Sequence, residues 1–202
     1  TGRRERFDAL RQRGGISGFP KREESRYDTF NVGHSGTSIS AASGMAEARC
    51  LLKDDYRIIA VIGDGSISAG MAFEGLNWTG DRKKNMVIIL NDNEMCISPN
   101  VGALSSYLNR IMTGQTVNRI RNEVKTFLKS IPAIGEQMLK FSRQAEESLK
   151  TFFTPGATFE ELGFTYVGPL EGHRLDHLIQ NLKNVKRLEG PVLVHVVTQK
   201  GK

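Results

Sequence analysis

The segment RIIAVIGDGS, residues 57–66, decides the fold of this chain. The run 57–62 is apolar after its first residue and ends at Gly63-Asp64-Gly65. A short continuous apolar run that ends in a glycine-rich turn is typical of a parallel strand buried on both faces. We therefore expect a strand here, with its carboxyl end at the Gly-Asp-Gly turn.

The residues that follow complete a strand–helix–strand unit. Residues 67–79 have the periodicity of an amphipathic helix. Its expected buried face consists of Ala69, Ala72, Phe73 and Leu76. A second apolar run, 86–90, ends at Asn91-Asp92-Asn93. The segment 57–91 has the length of one βαβ unit, whose crossover should be right-handed.

The rest of the chain continues this alternation, which predicts an α/β domain over residues 1–202, with a parallel sheet flanked by helices on both faces. The pattern predicts a loop at 14–31, helices at 4–12, 36–53, 158–162 and 175–188, and strands at 164–167 and 191–198. Residues 104–150 are polar, basic and helical in pattern. We interpret them as an excursion of helices, or a mobile flap, inserted between sheet elements. We expect this segment to order only when a cofactor and a partner domain are present.

Composition excludes several classes of protein. Hydrophobic residues make up 39% of the 202 and charged residues 25%, which is typical of a globular chain. No apolar run approaches the roughly 18 residues that span a bilayer, and the charged N-terminus lacks the apolar region of a signal peptide. Cys50 and Cys96 make neither a disulfide framework nor a zinc site, so we expect free thiols in a reducing cytosol.

The formal net charge of +6 raises the alternative of a nucleic-acid-binding module. However, the basic residues are interleaved with Asp and Glu, and no aromatic-basic pattern of the RNA-binding type is present. A basic surface that attracts phosphorylated small molecules fits this charge as well. We therefore expect no nucleic-acid partner.

Asp64 and Asn93 are the candidate metal ligands. They lie 29 positions apart, so one βαβ unit places both at the carboxyl edge of the sheet, where ligands of open α/β sheets bind. Carboxylate and amide oxygens suit Mg²⁺, which also takes phosphate oxygens. Gly63 and Gly65 permit a close backbone approach, and a helix beginning near Ile67 would direct its N–H groups at a diphosphate.

A bland alternative exists for these residues, because Gly-Asp-Gly alone is usually a turn and an Asp-Asn pair often only caps strand ends. The combination of both with an intervening helix is more specific. Rival phosphate motifs are missing from the sequence, since it contains no GxxxxGK[ST] and residues 63–70 do not fit GxGxxG.

The arrangement resembles the thiamine diphosphate motif, and its flanks are similar to the 1-deoxy-D-xylulose-5-phosphate synthase family. The matching segments are 31–40, 63–74, 89–104, 159–164, 168–169, 172–173 and 198–202. The resemblance implies Mg²⁺ ligands in Asp64, Asn93 and the backbone carbonyl of Met95. It also implies cofactor contacts from Gly33, His34, Ser35, Gly65, Ser66, Asn93 and Lys200, with His34 near the reacting atoms as the catalytic residue.

By the same resemblance, the chain is part of an enzyme that condenses pyruvate with D-glyceraldehyde 3-phosphate, with loss of CO₂, to 1-deoxy-D-xylulose 5-phosphate. This implies bound thiamine diphosphate and Mg²⁺, a homodimer, and a bacterial cytoplasmic location, or a plastid in a plant or alga. We expect the family's pyrimidine-binding and C-terminal domains to lie outside this chain, and the isolated chain to be inactive. The nearest alternative is the N-terminal part of a transketolase-type enzyme.

Several polar residues have simpler interpretations. By default His34 lies in a surface loop, Lys200 is solvated, and Ser35 and Ser38 cap a helix. Asp92 and Glu94 are expected to face solvent and are left out of the site. We assign no chemistry to His173, and we interpret His177 and His195 as a helix-surface and a strand histidine.

Overall fold

The computed structural model describes residues 2–93 and 156–202. Its strands are β1 (Ile59–Gly63), β2 (Met86–Asp92), β3 (Thr165–Glu171) and β4 (Pro191–Val197). Its helices are α1 (Ser38–Leu52), α2 (Asp64–Ile67), α3 (Gly70–Asp81), α4 (Ala157–Glu161) and α5 (Leu175–Val185), with a 3-10 helix at Arg4–Ala9. The four strands are all parallel, in the order β1-β2-β4-β3. The predicted α/β fold is confirmed.

One face of the sheet carries the larger hydrophobic core. Side chains alternate between the two faces of a strand, so Met86, Ile88 and Leu90 of β2 point to the same side. They pack with buried residues of α1, α3 and α4. Each large aliphatic side chain buried in this way contributes about 1.5–3 kcal/mol. This packing holds the helices against the strands whose ends form the candidate site.

The contact between α1 and α3 depends on small residues. A Cβ atom on Gly75 would lie 2.9 Å from Ser40 Oγ and 3.0 Å from Ile39 Cγ2, so the two helices approach more closely than larger side chains would permit. Ser43 and Thr79 share a buried hydrogen bond of 2.6 Å across the same contact. The small, polar first half of α1 therefore serves helix packing.

The opposite face of the sheet is covered by α5. Leu178, Leu182 and Val185 of this helix pack on the β4 side chains that point away from the larger core. Helices thus lie on both faces, as predicted. Ile59 and Val61 of β1 share this second face, yet their side chains are 58% and 59% exposed.

The prediction of a helix over 67–79 is wrong about where the helix starts and about part of its buried face. The chain forms the single turn α2, then breaks at Ser68 and extended Ala69 before α3 begins. Phe73 is exposed, because the packed face of α3 is built largely from small residues. Its buried residues are Ala72, Gly75, Leu76, Thr79 and Gly80.

Strand β2 is longer than expected, since it continues through Asn91 to Asp92. The helix expected at 4–12 is a 3-10 helix that ends at Ala9. The helical excursion predicted at 104–150 lies outside the described residues.

Candidate functional site

Asp64 and Asn93 meet at the carboxyl edge of the sheet. Gly63 pairs with Asn91 in the β1–β2 register, so the residues that follow each strand are neighbours. The Asp64 carboxylate is only 6% exposed and accepts backbone N–H groups from Gly65 and Asn93. The predicted juxtaposition of these two strand ends is confirmed.

The electrostatics of Asp64 favour a cation. Burial raises the pKa of the Asp64 carboxyl, and the nearby Asp92 raises it further, while the N–H donors act in the opposite direction. A carboxylate in this position is short of compensating positive charge. Its oxygens are hard donors of the kind that Mg²⁺ prefers. The donor chemistry of the site therefore fits this metal.

Protein ligands alone would not complete such a site in the described part of the chain, where no three His, Cys, Asp or Glu side chains cluster around a metal position. Mg²⁺ commonly uses one or two carboxylates together with waters and substrate phosphates. Met95 and Glu94 lie outside the described residues.

The loop that contains Gly33, His34 and Ser35 contacts the residues that follow the Gly-Asp-Gly turn. Its contact is made by Gly36, where an added Cβ would lie 2.7 Å from the Cβ of Ala69 and 3.3 Å from the carbonyl oxygen of Ser66. Gly36 also has φ +77°, a left-handed conformation that favours glycine. Gly33, His34 and Ser35, the predicted cofactor residues of this loop, are all exposed.

The segment after β4 joins the same edge. The Thr198 N–H donates to the Asp92 carbonyl oxygen at 2.7 Å, and its hydroxyl donates to Asn91 Oδ1 at 2.8 Å. These bonds bring residues 198–200 to the end of β2. Lys200 itself is exposed.

Two histidines near this edge of the sheet, His173 and His177, differ in their environment. His173, to which the sequence assigned no chemistry, accepts the Gln199 N–H at 2.8 Å, so it anchors that segment. His177 is exposed on α5, as predicted.

The expectation that Asp92 faces solvent is wrong. Asp92 is 2% exposed, and its carboxylate lies 3.0 Å from Nε2 of His195, which is 0% exposed. Nδ1 of His195 lies 2.8 Å from the Tyr166 hydroxyl. With Asp92 ionised, these roles follow: Nε2–H donates to Asp92, and Nδ1 accepts from the Tyr166 O–H.

Two members of this chain of polar residues, Asp92 and His195, carry a signal that the sequence already contained. Asp92 continues the alternation of Met86, Ile88 and Leu90, so it belongs to the inward face if β2 is two residues longer. His195 interrupts an otherwise apolar strand, Pro191–Val197. A buried histidine must find hydrogen-bond partners, which makes such a position informative.

The prediction that a helix beginning near Ile67 directs its dipole at a diphosphate is wrong. The helix that begins after β1 is α2, which has four residues, and α3 begins at Gly70. A macrodipole needs several aligned turns, so α2 cannot supply one. This turn still offers the Ser66 hydroxyl, whereas the Gly65 N–H already donates to Asp64.

The amino-acid sequence matches a known family over almost its whole length. The model of the family described as 1-deoxy-D-xylulose-5-phosphate synthase matches residues 1–198. The chain belongs to the 1-deoxy-D-xylulose-5-phosphate synthase family.

Two members of the synthase family are closely similar to this chain in amino-acid sequence. The 1-deoxy-D-xylulose-5-phosphate synthase of Syntrophus aciditrophicus is 74% identical over all of this chain, which covers 31% of that protein. The enzyme of Syntrophotalea carbinolica is 65% identical, again over all of this chain and 32% of its own length. The chain thus spans about a third of the curated relatives that it matches.

A solved structure supports the fold. The transketolase of Campylobacter jejuni aligns with a TM-score of 0.51 and 18% identity, covering 84% of this chain and 21% of that one. This likeness shows the fold alone, an α/β fold that the chain shares with this transketolase. The transketolase alternative is weaker than the synthase assignment, because the family match rests on the sequence itself.

No helix among the described residues has the length and apolar character that a membrane crossing needs.

Proposed function

We propose that this chain supplies the diphosphate- and Mg²⁺-binding half of the active site of a 1-deoxy-D-xylulose-5-phosphate synthase. The observation that carries the proposal is the buried Asp64 carboxylate, tied by the Asn93 N–H at the edge of the sheet and set beside a second carboxylate. A divalent cation would relieve the repulsion between the two acidic groups. Relief of that repulsion is what makes the site suited to Mg²⁺.

Individual residues have separate tasks in this proposal. Asp64 and Asn93 hold the cation through side-chain oxygens, and Met95 adds its backbone carbonyl. The turn at Gly65 and Ser66 binds diphosphate oxygens through backbone N–H groups and a hydroxyl. The Gly65 N–H already donates to Asp64, so binding would have to share or exchange that hydrogen bond.

Four further residues surround the cofactor position. Gly33, His34 and Ser35 belong to the loop that contacts Ser66 and Ala69, just after the Gly-Asp-Gly turn, through Gly36. His34 is the catalytic candidate, as an exposed imidazole that can hold or move a proton near the reacting atoms. Lys200 lies two residues beyond the Thr198 anchor and would neutralise phosphate charge.

Thiamine diphosphate, when bound, supplies the carbon–carbon chemistry, and the protein supplies orientation and electrostatics. The proposed reaction condenses pyruvate with D-glyceraldehyde 3-phosphate, with loss of CO₂, to 1-deoxy-D-xylulose 5-phosphate. The remaining domains of the enzyme would complete the site, in a homodimer in the bacterial cytoplasm. The product would enter isoprenoid, thiamine and pyridoxal synthesis.

A domain exchange tests this proposal. The 202 residues would replace the matching third of the Syntrophus aciditrophicus synthase, and CO₂ release from pyruvate would be measured with and without D-glyceraldehyde 3-phosphate. We expect the chimaeric protein to form 1-deoxy-D-xylulose 5-phosphate only when Mg²⁺ and thiamine diphosphate are present. The isolated chain, assayed in parallel, should show no turnover.

Two outcomes would contradict the proposal. A well-folded chimaeric protein that neither binds thiamine diphosphate nor turns over would show that the chain does not supply this half-site. Robust turnover by the isolated chain would show that the half-site is complete without other domains. Retention of RNA by the chain, with no effect of cofactor, would instead favour a nucleic-acid-binding module.

A further inference from the structure

A chain of polar side chains, buried at Asp92 and His195 and half-buried at Tyr166, crosses the sheet behind the candidate cation site. Tyr166 of β3, His195 of β4 and Asp92 of β2 are joined by hydrogen bonds of 2.8 and 3.0 Å. The Asp92 charge in turn acts on Asp64, at the end of β1. The four residues therefore follow the strand order of the sheet, from one edge to the other.

The imidazole of His195 has no solvent contact, so its polar atoms must be satisfied inside the protein. Both ring nitrogens are within hydrogen-bond distance of a partner, and one tautomer serves both bonds. A leucine at this position would fill the core with no desolvation cost. The histidine is thus better explained by what it holds than by packing.

What it holds is the end of β2. The Asp92 side chain is bonded to His195, and the Asp92 carbonyl accepts the Thr198 N–H at 2.7 Å. The next residue, Asn93, donates its N–H to the Asp64 carboxylate. Side chain and backbone of Asp92 are therefore both fixed to β4 or its extension, one residue before a candidate ligand.

The surroundings of His195 leave it little freedom to move. A Cβ on Gly168, which has φ +140°, would lie 2.6 Å from the His195 carbonyl oxygen and 3.0 Å from its Cβ. A Cβ on Gly156 would lie 2.4–2.7 Å from atoms of Tyr166. The Tyr166 ring also stacks on Phe159 at 6.1 Å between centroids. Close packing thus limits the movement of the side chains that form both hydrogen bonds.

We propose that His195 is a positioning residue for the divalent-cation site: it holds the Asp92 carboxylate turned into the core, so that the end of β2 presents Asn93 beside Asp64. Asp92 then acts as a fixed charge beside the cation. Tyr166 orients the imidazole from the far side. The inference rests on the proposed function, because the cation concerned is the one that Asp64 would hold.

Direct cation binding tests this inference in the chimaeric synthase. The dissociation constant for Mn²⁺, used as a probe for Mg²⁺, would be measured from the electron paramagnetic resonance signal of the free ion. We expect His195→Leu to weaken binding about tenfold, at the low end for loss of an outer partner of a metal site. Tyr166→Phe should weaken it about two- to threefold, as for loss of one neutral hydrogen bond.

A conservative variant separates positioning from packing. His195→Gln can still donate a side-chain N–H to Asp92, so it should restore Mn²⁺ affinity to within about threefold of the parent. Thr79→Val is the matched control, because it breaks a buried hydrogen bond in the same core, next to Met86 at the other end of β2. It should lower the unfolding temperature while leaving Mn²⁺ affinity unchanged.

Several results would overturn the inference. Folded His195→Leu with the parental Mn²⁺ affinity would do so, as would an equal loss of affinity in Thr79→Val. If His195→Leu does not fold, Tyr166→Phe decides the matter, and unchanged affinity in that variant counts against the proposal. Failure of the parent chimaeric protein to bind Mn²⁺ would instead remove the proposed function, and this inference with it.

Discussion

The two ends of the same core bury polar groups in different ways. At the amino end of β2, Ser43 and Thr79 share a hydrogen bond of 2.6 Å, and Ser43 also reaches the carbonyl oxygen of Ile39 at 2.9 Å. At the carboxyl end, Asp92 and His195 form a charged hydrogen bond that continues to Tyr166. The hydroxyl pair makes its hydrogen bonds within the core, whereas the charge of Asp92 acts on Asp64.

This difference separates burial that serves packing from burial that serves a site. A neutral hydroxyl pair contributes about 1 kcal/mol net and needs nothing outside itself. A buried carboxylate has a desolvation penalty that only good partners offset. The carboxyl end therefore brings two repelling carboxylates, Asp64 and Asp92, to the place where a cation would bind. The Ser43–Thr79 pair at the amino end is uncharged.

The largest expected effect is at the carboxyl end. Asp64→Asn should reduce cation affinity in the chimaeric synthase by more than the about 10–100-fold that loss of an outer partner causes, because it removes the anionic ligand itself. The cation-free protein should become more stable, since burial and Asp92 both disfavour the Asp64 charge. Calorimetric Mg²⁺ titration and thermal unfolding measure the two effects. Loss of cation-free stability would contradict this account of the site.

A change at the amino end should have the reverse profile. A Cβ on Gly80 would lie 1.7 Å from the Leu162 carbonyl oxygen, which belongs to backbone and cannot rotate away. Gly80→Ala should therefore destabilise the domain by about 2–3 kcal/mol, as overpacking does. Urea unfolding measures this change. Gly44, where an added Cβ meets nothing within 4 Å, is the matched control, and equal losses in both variants would argue against the contact.

The hydroxyl pair should give a smaller effect. Thr79→Val keeps the shape of the side chain and removes its hydrogen bond, which should cost about 1 kcal/mol. Ser43 would keep its bond to Ile39, which limits the loss. A double-mutant cycle with Ser43→Ala should give a coupling free energy of about 0.5 kcal/mol or more, as for residues in contact. Strict additivity would show that the pair is not coupled.

The smallest effect concerns a charged pair outside the core, which gives a baseline for both ends. Arg3 binds Asp28 through two hydrogen bonds of 2.6 and 2.9 Å and lowers the pKa of its carboxyl. Because the pKa of Asp28 is lower in the folded protein, the ion pair stabilises the fold at pH values above 3.8, the ordinary pKa of an aspartate. This stabilisation is lost as the pH falls through the lowered pKa of the folded protein.

Asp28→Asn should therefore reduce the acid sensitivity of unfolding and change little at neutral pH. Thermal unfolding between pH 2.5 and 7, values chosen to bracket the titration of about 3.9 for Asp, measures this. Parallel curves for the variant and parent would indicate no linkage.

Much of the fold could be predicted from local patterns. The apolar runs before Gly63 and Asn91 locate two buried strands, and their polar ends locate the candidate site. The face of α3 was harder, because Gly75 and Gly80 form its closest contacts and a glycine has no side chain for a hydrophobicity pattern to register.

The chain of buried polar residues could not be predicted in the same way. Asp92 and His195 are 103 positions apart, so no local pattern connects them. Only the β2–β4 pairing places them together. Sequence reasoning assigned each to a default environment, and the error in Asp92 came from ending β2 two residues early. Glu94 and Met95, and with them the full ligand set, lie outside the described residues.

The direction of the hydrogen bonds at His195 has a practical consequence. Its Nε2 proton is shielded from solvent and shared with Asp92, so it should exchange slowly with water and give a resolved, downfield proton resonance. This proton is bonded to Asp92, one residue before the candidate ligand Asn93, and it does not belong to a candidate ligand itself. The molecule thus contains its own spectroscopic reporter of cation binding, readable without label or substrate.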